Sequence, residues 1–187
     1  MLRSLSSSIV EVGPGIFYCD ASLVTADRRT TDFLKDVARS TPVRRARLCA
    51  HPRPEADQHD MLIVSHRDTY VAPHRHRNKS ETMLVIEGRA DAHLYSEAGD
   101  VERLLRMGPL GSGRTFFYRM PPNRFHGLRI VSELLVFVES TKGPFRAEDT
   151  ENAPWAPAPE DAEAGHAFVA DAFSRSTRLE PDVEDKP

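Results

Sequence analysis

What the chain lacks narrows the field first. Only two cysteines, Cys19 and Cys49, occur in 187 residues, far apart and in no Cys-x-x-Cys pair. That excludes a disulfide scaffold and a thiolate metal site, and it leaves two buried, reduced thiols. No run approaches the roughly 18 apolar residues of a membrane span. The opening MLRSLSSSIVEVGPG has no apolar core of signal-peptide length either, so a cytoplasmic protein with no membrane partner is expected. Charge of one sign is also lacking: 25 Lys and Arg stand against 28 Asp and Glu, a formal net charge of −3. Nothing in that balance draws the chain to nucleic acid, and the basic stretch RRTTDFLKDVARSTPVRRAR is mixed in sign and holds no helix-turn-helix pair. No repeat at a fixed period stands out. A small-molecule partner is the default that remains.

What is present is a strongly lopsided order of elements. Residues 9–24 read as a strand and a turn, and residues 26–40 place Phe33, Leu34 and Val37 at helical spacing ahead of Pro42. From about 43 to 141 the chain becomes a series of short runs rich in Val, Ile, Leu, Phe and Tyr, broken by Gly, Pro, Asn and Asp. They include DMLIVSH, ETMLVIEG, ADAHLYSE, VERLLRMG, HGLRIVS and ELLVFVES. Nine short strands with almost no helix between them predict a β-sandwich or small barrel. EAGD at 97–100 predicts a hairpin turn. The proline-rich stretch 146–164 reads as a strap that is neither strand nor helix, residues 164–179 as a helix presenting Phe168, Ala172 and Phe173, and EPDVEDKP as a disordered tail. The expected organisation is an N-terminal strand and helix extension (1–42), a barrel (43–145), and a C-terminal strap, helix and tail (146–187).

One stretch carries chemistry. In PHRHRNKSE, strand alternation turns His74 and His76 to one side and Arg75 and Arg77 to the other. If a hairpin folds back after RNKS, Glu81 joins the two imidazoles, and His126 in PPNRFHGL opens a strand whose Leu128 and Ile130 are plausible inward residues. Three histidines and a carboxylate suit Fe(II), Mn, Ni or Zn with open coordination positions. The same residues also fit a solvated basic turn and an ordinary strand histidine, and spacing decides between the two.

His74-x-His76, then four residues, Glu81, then six residues and Gly88 resembles the first motif of the cupin superfamily, without its leading glycine. Pro121-x-Asn123-x-x-His126 resembles the second, with Asn123 in the glycine place, a residue that tolerates the left-handed conformation. The resemblance implies a mainly β, cupin-type jelly-roll barrel with a short N-terminal helix and a C-terminal extension. ARSTPVRRARLCAH, DTYVAPHRHRNKSET, TKGPF and ENAPWAP, spread over residues 36–157, are further similar to the WbuC family of cupin-fold metalloproteins. That likeness implies one divalent metal ion on His74, His76, Glu81 and His126, and a setting in O-antigen or other surface-polysaccharide biosynthesis. A homodimer is the expected assembly, and the strand LLVFV, apolar on both parities, needs cover on both faces from the N-terminal elements or from another chain.

Around that centre, Lys79 and Tyr118 are candidates for proton transfer. Arg114 and Phe116 share the parity of Tyr118 and are candidates for substrate binding; a buried, satisfied tyrosine is the plainer reading of Tyr118. Trp155 reads as a lid or packing anchor and His66 as a surface histidine, while His51, His59 and His93 have no spacing that recruits them. The expected function is isomerase, epimerase or lyase chemistry on a sugar or sugar-derived small molecule. An Fe(II)-dependent dioxygenase and a non-catalytic small-molecule-binding cupin are the alternatives.

Overall fold

The structure is a computed structural model that describes residues 9–19 and 22–179, with side chains through Ser176. The expected disordered tail at 180–187 lies outside the described residues. Twelve strands form in the order β1 (Ile9–Gly13), β2 (Ile16–Cys19), β3 (Arg45–Cys49), β4 (Gln58–His66), β5 (Val71–His76), β6 (Glu81–Glu87), β7 (Ala90–Tyr95), β8 (Val101–Met107), β9 (Phe117–Met120), β10 (His126–Ile130), β11 (Leu134–Lys142) and β12 (Thr150–Asn152). Helix α1 (Arg28–Ser40) precedes β3 and α2 (Ala162–Leu179) ends the described chain. Among the described residues no helix is long and apolar enough to cross a membrane.

The mainly β jelly-roll expectation holds. Seven strands lie in the order β1-β2-β3-β4-β11-β6-β9 and five in the order β12-β5-β10-β7-β8, two facing sheets that do not join into a closed barrel. The run read as one N-terminal strand is a hairpin, because Gly15 at φ 72° turns the chain back within contact of the Arg45 carbonyl. Asp27 caps α1 by accepting from the Thr30 amide at 3.0 Å, and the helix stops at Thr41, ahead of Pro42. Its Leu34 and Ala38 pack on Ala46, Leu48, Leu62, Val64 and Val136, which covers the outer face of the LLVFV strand. The opposite parity of β4 and β11, Met61, Ile63 and Phe137, faces the space between the sheets together with Met83 of β6. EAGD forms the expected turn: the Ser96 amide donates to the Asp100 carbonyl and the Gly99 amide to the Ser96 carbonyl.

Two expectations are corrected. β5 and β6 do not fold back on each other: β5 pairs with β10 and β12 in the smaller sheet, β6 with β11 and β9 in the larger, and residues 77–80 cross between the sheets. Both edges of each strand are already occupied, so no edge is left for a β5–β6 ladder. The strap also contains regular structure. Thr150, Glu151 and Asn152 pair with His76, Arg75 and His74 ahead of the prolines, and α2 begins at Ala162. Trp155 is a packing anchor as read, set among Tyr95, Phe125 and Phe168, with its ring N–H donating to the Glu97 carbonyl at 3.1 Å.

Candidate metal centre

His74, His76, Glu81 and His126 come together inside the molecule, each offering a ligand atom within 4.8 Å of every other. The crossing at 77–80 makes this possible without a hairpin: β5 supplies two imidazoles from one sheet and β6 brings Glu81 from the other. β10 lies beside β5 with His126 opposite His74, so those two rings sit 4.5 Å apart between centroids. On the reverse side of β5, Arg75 points outward as its parity requires and grips Glu151 through two bonds of 2.9 and 3.0 Å.

Both motif turns show why their residue types are needed. Gly88 has φ 87°, and a Cβ there would fall 2.3 Å from the Leu134 carbonyl oxygen. Asn123 adopts φ 61°, the left-handed conformation expected of it, and its amide donates to the His76 carbonyl at 2.8 Å.

Each imidazole is oriented by its outer nitrogen. Nδ1 of His74 faces the Ala72 carbonyl at 2.9 Å, Nδ1 of His126 faces the Arg124 carbonyl at 2.8 Å, and Nδ1 of His76 lies 3.1 Å from the Thr150 hydroxyl. Such bonds fix the tautomer and leave Nε2 to act as ligand. His76 Nε2 lies 3.1 Å from Glu81 Oε2. His126 Nε2 lies 3.1 Å from Glu81 Oε1, an ion-pair distance, and this buried nitrogen makes no hydrogen bond of good geometry. An unpartnered buried nitrogen facing a carboxylate and two further imidazoles fits a divalent cation.

The protonation states of His74 and Glu81 agree with that fit. Burial, with His126 alongside, pushes His74 down to about 4, so it is neutral near pH 7. Burial alone would raise Glu81, yet the imidazoles outweigh it and hold the carboxyl well below its ordinary range. Burial likewise opposes the charged form of His126, but Glu81 keeps its pKa above the ordinary value. Tyr118 donates its hydroxyl to Glu81 Oε1 at 3.2 Å, and burial followed by the Glu81 charge pushes its pKa well above the phenolic value, so it stays a donor.

The centre lines a cavity of about 500 Å³ between the sheets, within the range of small-ligand sites. Lys79 and Tyr118 both line it, and the Lys79 ammonium also lies 5.7 Å from the centre of the Phe145 ring. Arg114 and Phe116 do not: Arg114 packs against Gly108 in the loop before β9, and Phe116 is 39% exposed. The lining also holds residues that sequence reasoning passed over. Arg45, Arg47 and Glu139 point inward, as do His51 and His59, whose rings stack at 3.9 Å. Burial and then the Glu81 charge raise the Glu139 carboxyl to about 7. Parity was the available signal, since Arg45, Arg47 and Cys49 alternate in RARLC, and so do Phe137 and Glu139 in VFVES.

A family profile described as Domain of unknown function (DUF6016) matches residues 26–107, from α1 to the end of β8. No curated protein matches the chain. Among solved structures, KdgF from Halomonas sp. is similar at 17% identity and a TM-score of 0.44, over 57% of this chain and 85% of that one. The Streptomyces nucleoside dehydratase Pac13 is similar at 16% and 0.41, over 55% and 72%. The capsular polysaccharide assembling protein CapF from Staphylococcus aureus is similar at 16% and 0.43, over 52% and 27%. All three are cupin-fold proteins.

Proposed function

We propose that the chain is a mononuclear metal cupin enzyme of the WbuC type, carrying out isomerase, epimerase or lyase chemistry on a sugar-derived small molecule in surface-polysaccharide biosynthesis. The observation that carries the metal reading is the unpartnered, buried Nε2 of His126, set among two oriented imidazoles and an ionised Glu81 on a cavity large enough for a small ligand. The polysaccharide setting and a homodimer rest on the motif resemblance.

A divalent ion held by His74, His76, Glu81 and His126 would supply Lewis acidity toward a carbonyl or hydroxyl oxygen of the substrate. The remaining work falls to the chain. Tyr118 holds Glu81 in place through its 3.2 Å bond and keeps a proton at the cavity wall. Lys79 places an ammonium on the same wall, able to orient an anionic or hydroxyl group. Glu139, with its pKa raised to about 7, can both take and return a proton near neutrality, as such a reaction needs. Apolar lining from Met61, Ile63, Met83 and Phe137 limits the water around these groups.

Metal content tests the reading. Untagged protein purified without oxygen is expected to carry about one divalent ion per chain by plasma mass spectrometry, and Glu81→Ala and His126→Ala are expected to lose it, with affinity down by a factor of about 100 or more. Zinc, nickel or manganese points to isomerase, epimerase and lyase assays, and iron to oxygen-consumption assays. If His126→Ala binds metal as tightly as wild type, the ligand set is wrong.

A further inference from the structure

The cavity extends past the metal centre to a second cluster of charge. β3 sends Arg45 and Arg47 inward, while the intervening Ala46 and the following Leu48 face α1. On the page of the sheet, β3 lies next to β4, β4 next to β11 and β11 next to β6, so Glu139 on β11 stands on the strand between the Glu81 strand and the arginine side. Its opposite numbers are Met83 on one flank and Met61 on the other, and it interacts electrostatically with Glu81 and His126 as well as with Arg45 and Arg47.

Among the described residues no ion pair or side-chain hydrogen bond reaches Arg45 or Arg47, and Arg47 Nε is a buried donor with no partner. Arg45 is exposed and also lines the cavity, and burial of its charge, then the neighbouring Arg47, lower its pKa. Lys79 is a third cation on the wall, 7% exposed and also without an ion pair among the described residues. Against three cations stand Glu81, already engaged by imidazoles, and Glu139, whose carboxyl is raised to about 7. Two adjacent guanidiniums on the cavity wall, with Glu139 as the carboxylate nearest to both in electrostatic terms, present donors whose geometry matches an oxyanion.

We infer that Arg45 and Arg47 form the oxyanion-binding end of the cavity, holding the carboxylate or phosphate of a small acidic sugar or related organic acid whose hydroxyl or carbonyl oxygen faces the His74, His76, Glu81 and His126 cluster. This rests on the metal-enzyme reading for its second half alone. The substrate class is thereby narrowed from sugars in general to anionic ones. Ser65, opposite Arg45 on β4 and also on the wall, adds a hydroxyl at the same end.

The test uses the full chain and calorimetric titration with three probes of similar size: glucuronate, glucose 6-phosphate and glucose. Wild type is expected to prefer one of the two anions over glucose by at least about tenfold, the preferred one naming the group as carboxylate or phosphate. Arg45→Gln and Arg47→Gln should each shrink that preference, and the double variant should abolish it with metal content unchanged. Equal binding of all three probes, or a preference that survives in the double variant, overturns the proposal. Thermal melting separates a structural role: with no ligand present, Arg47→Gln should melt no lower than wild type, because a cation beside Arg45 whose buried Nε has no partner has been removed. A lower melting temperature together with an intact anion preference would make the guanidinium structural and overturn the assignment. Repeating the titration on chelator-treated wild type keeps the two readings apart. An arginine-dependent anion preference in protein that never binds metal leaves this proposal standing and removes the metal enzyme, whereas metal binding with no anion preference does the reverse.

Discussion

Each sheet is covered on its outer face by one helix, and the two covers are made of different material. Under α1, the larger sheet meets Leu34 and Ala38 with Ala46, Leu48, Leu62, Val64 and Val136, an aliphatic layer. Under α2, the smaller sheet presents Asp91, His93 and Tyr95 from alternate positions of β7. Asp91 is bonded to Arg129 at 2.9 Å, and the Arg129 guanidinium lies 3.6 Å from the centre of the Phe173 ring on the helix. Both ring nitrogens of His93 and the hydroxyl of Tyr95 are buried with no hydrogen-bond partner. The aliphatic cover gains from burial at any pH, whereas the polar one is stable only while its groups keep the protonation state that burial demands.

Breaking the aliphatic cover should have the largest effect. Leu34 is 1% exposed, and Leu34→Ala is expected to cost about 3–4 kcal/mol in denaturant unfolding, by the same amount at pH 5 and pH 7. The polar cover should show itself through pH instead. Burial lowers His93 from 6.5 to about 4, so below 6.5 the unfolded chain binds a proton that the folded chain refuses. Stability is then fully present above about 6.5 and falls as the pH drops toward 4, by up to about 3 kcal/mol. His93→Leu should flatten this slope in unfolding measured at a series of pH values; an unchanged slope would assign it to other groups. The smallest effect belongs to Tyr95→Phe, which removes a buried hydroxyl without a partner and should raise stability by about 1 kcal/mol by thermal melting.

The contrast also marks what could be read from sequence. The His74, His76, Glu81 and His126 cluster was legible because its signal is local: alternation puts His74 and His76 on one side, and the turns at Gly88 and Asn123 require residues that accept positive φ. Helix α1 was legible for the same reason, through its apolar spacing and the proline after it. The partner of β5 was not, since strand pairing depends on which edges the rest of the sheet leaves available, and that information is spread over β10, β11 and β12. Arg45, Arg47 and Glu139 were missed because alternation groups residues by face without saying which face is inward, and charge argued for the outside. β12 has no side-chain signature; it exists because the outer edge of β5 offers backbone groups to pair with.

The crossing between β5 and β6 has a mechanical side. Three of the four clustered residues, His74, His76 and His126, belong to one sheet and Glu81 to the other, in a molecule whose sheets do not close on themselves. A single cation at that point would be a rivet through two plates, resisting any sliding or gaping of one against the other, and the rigidity of the whole frame would then be set at the place where its chemistry happens.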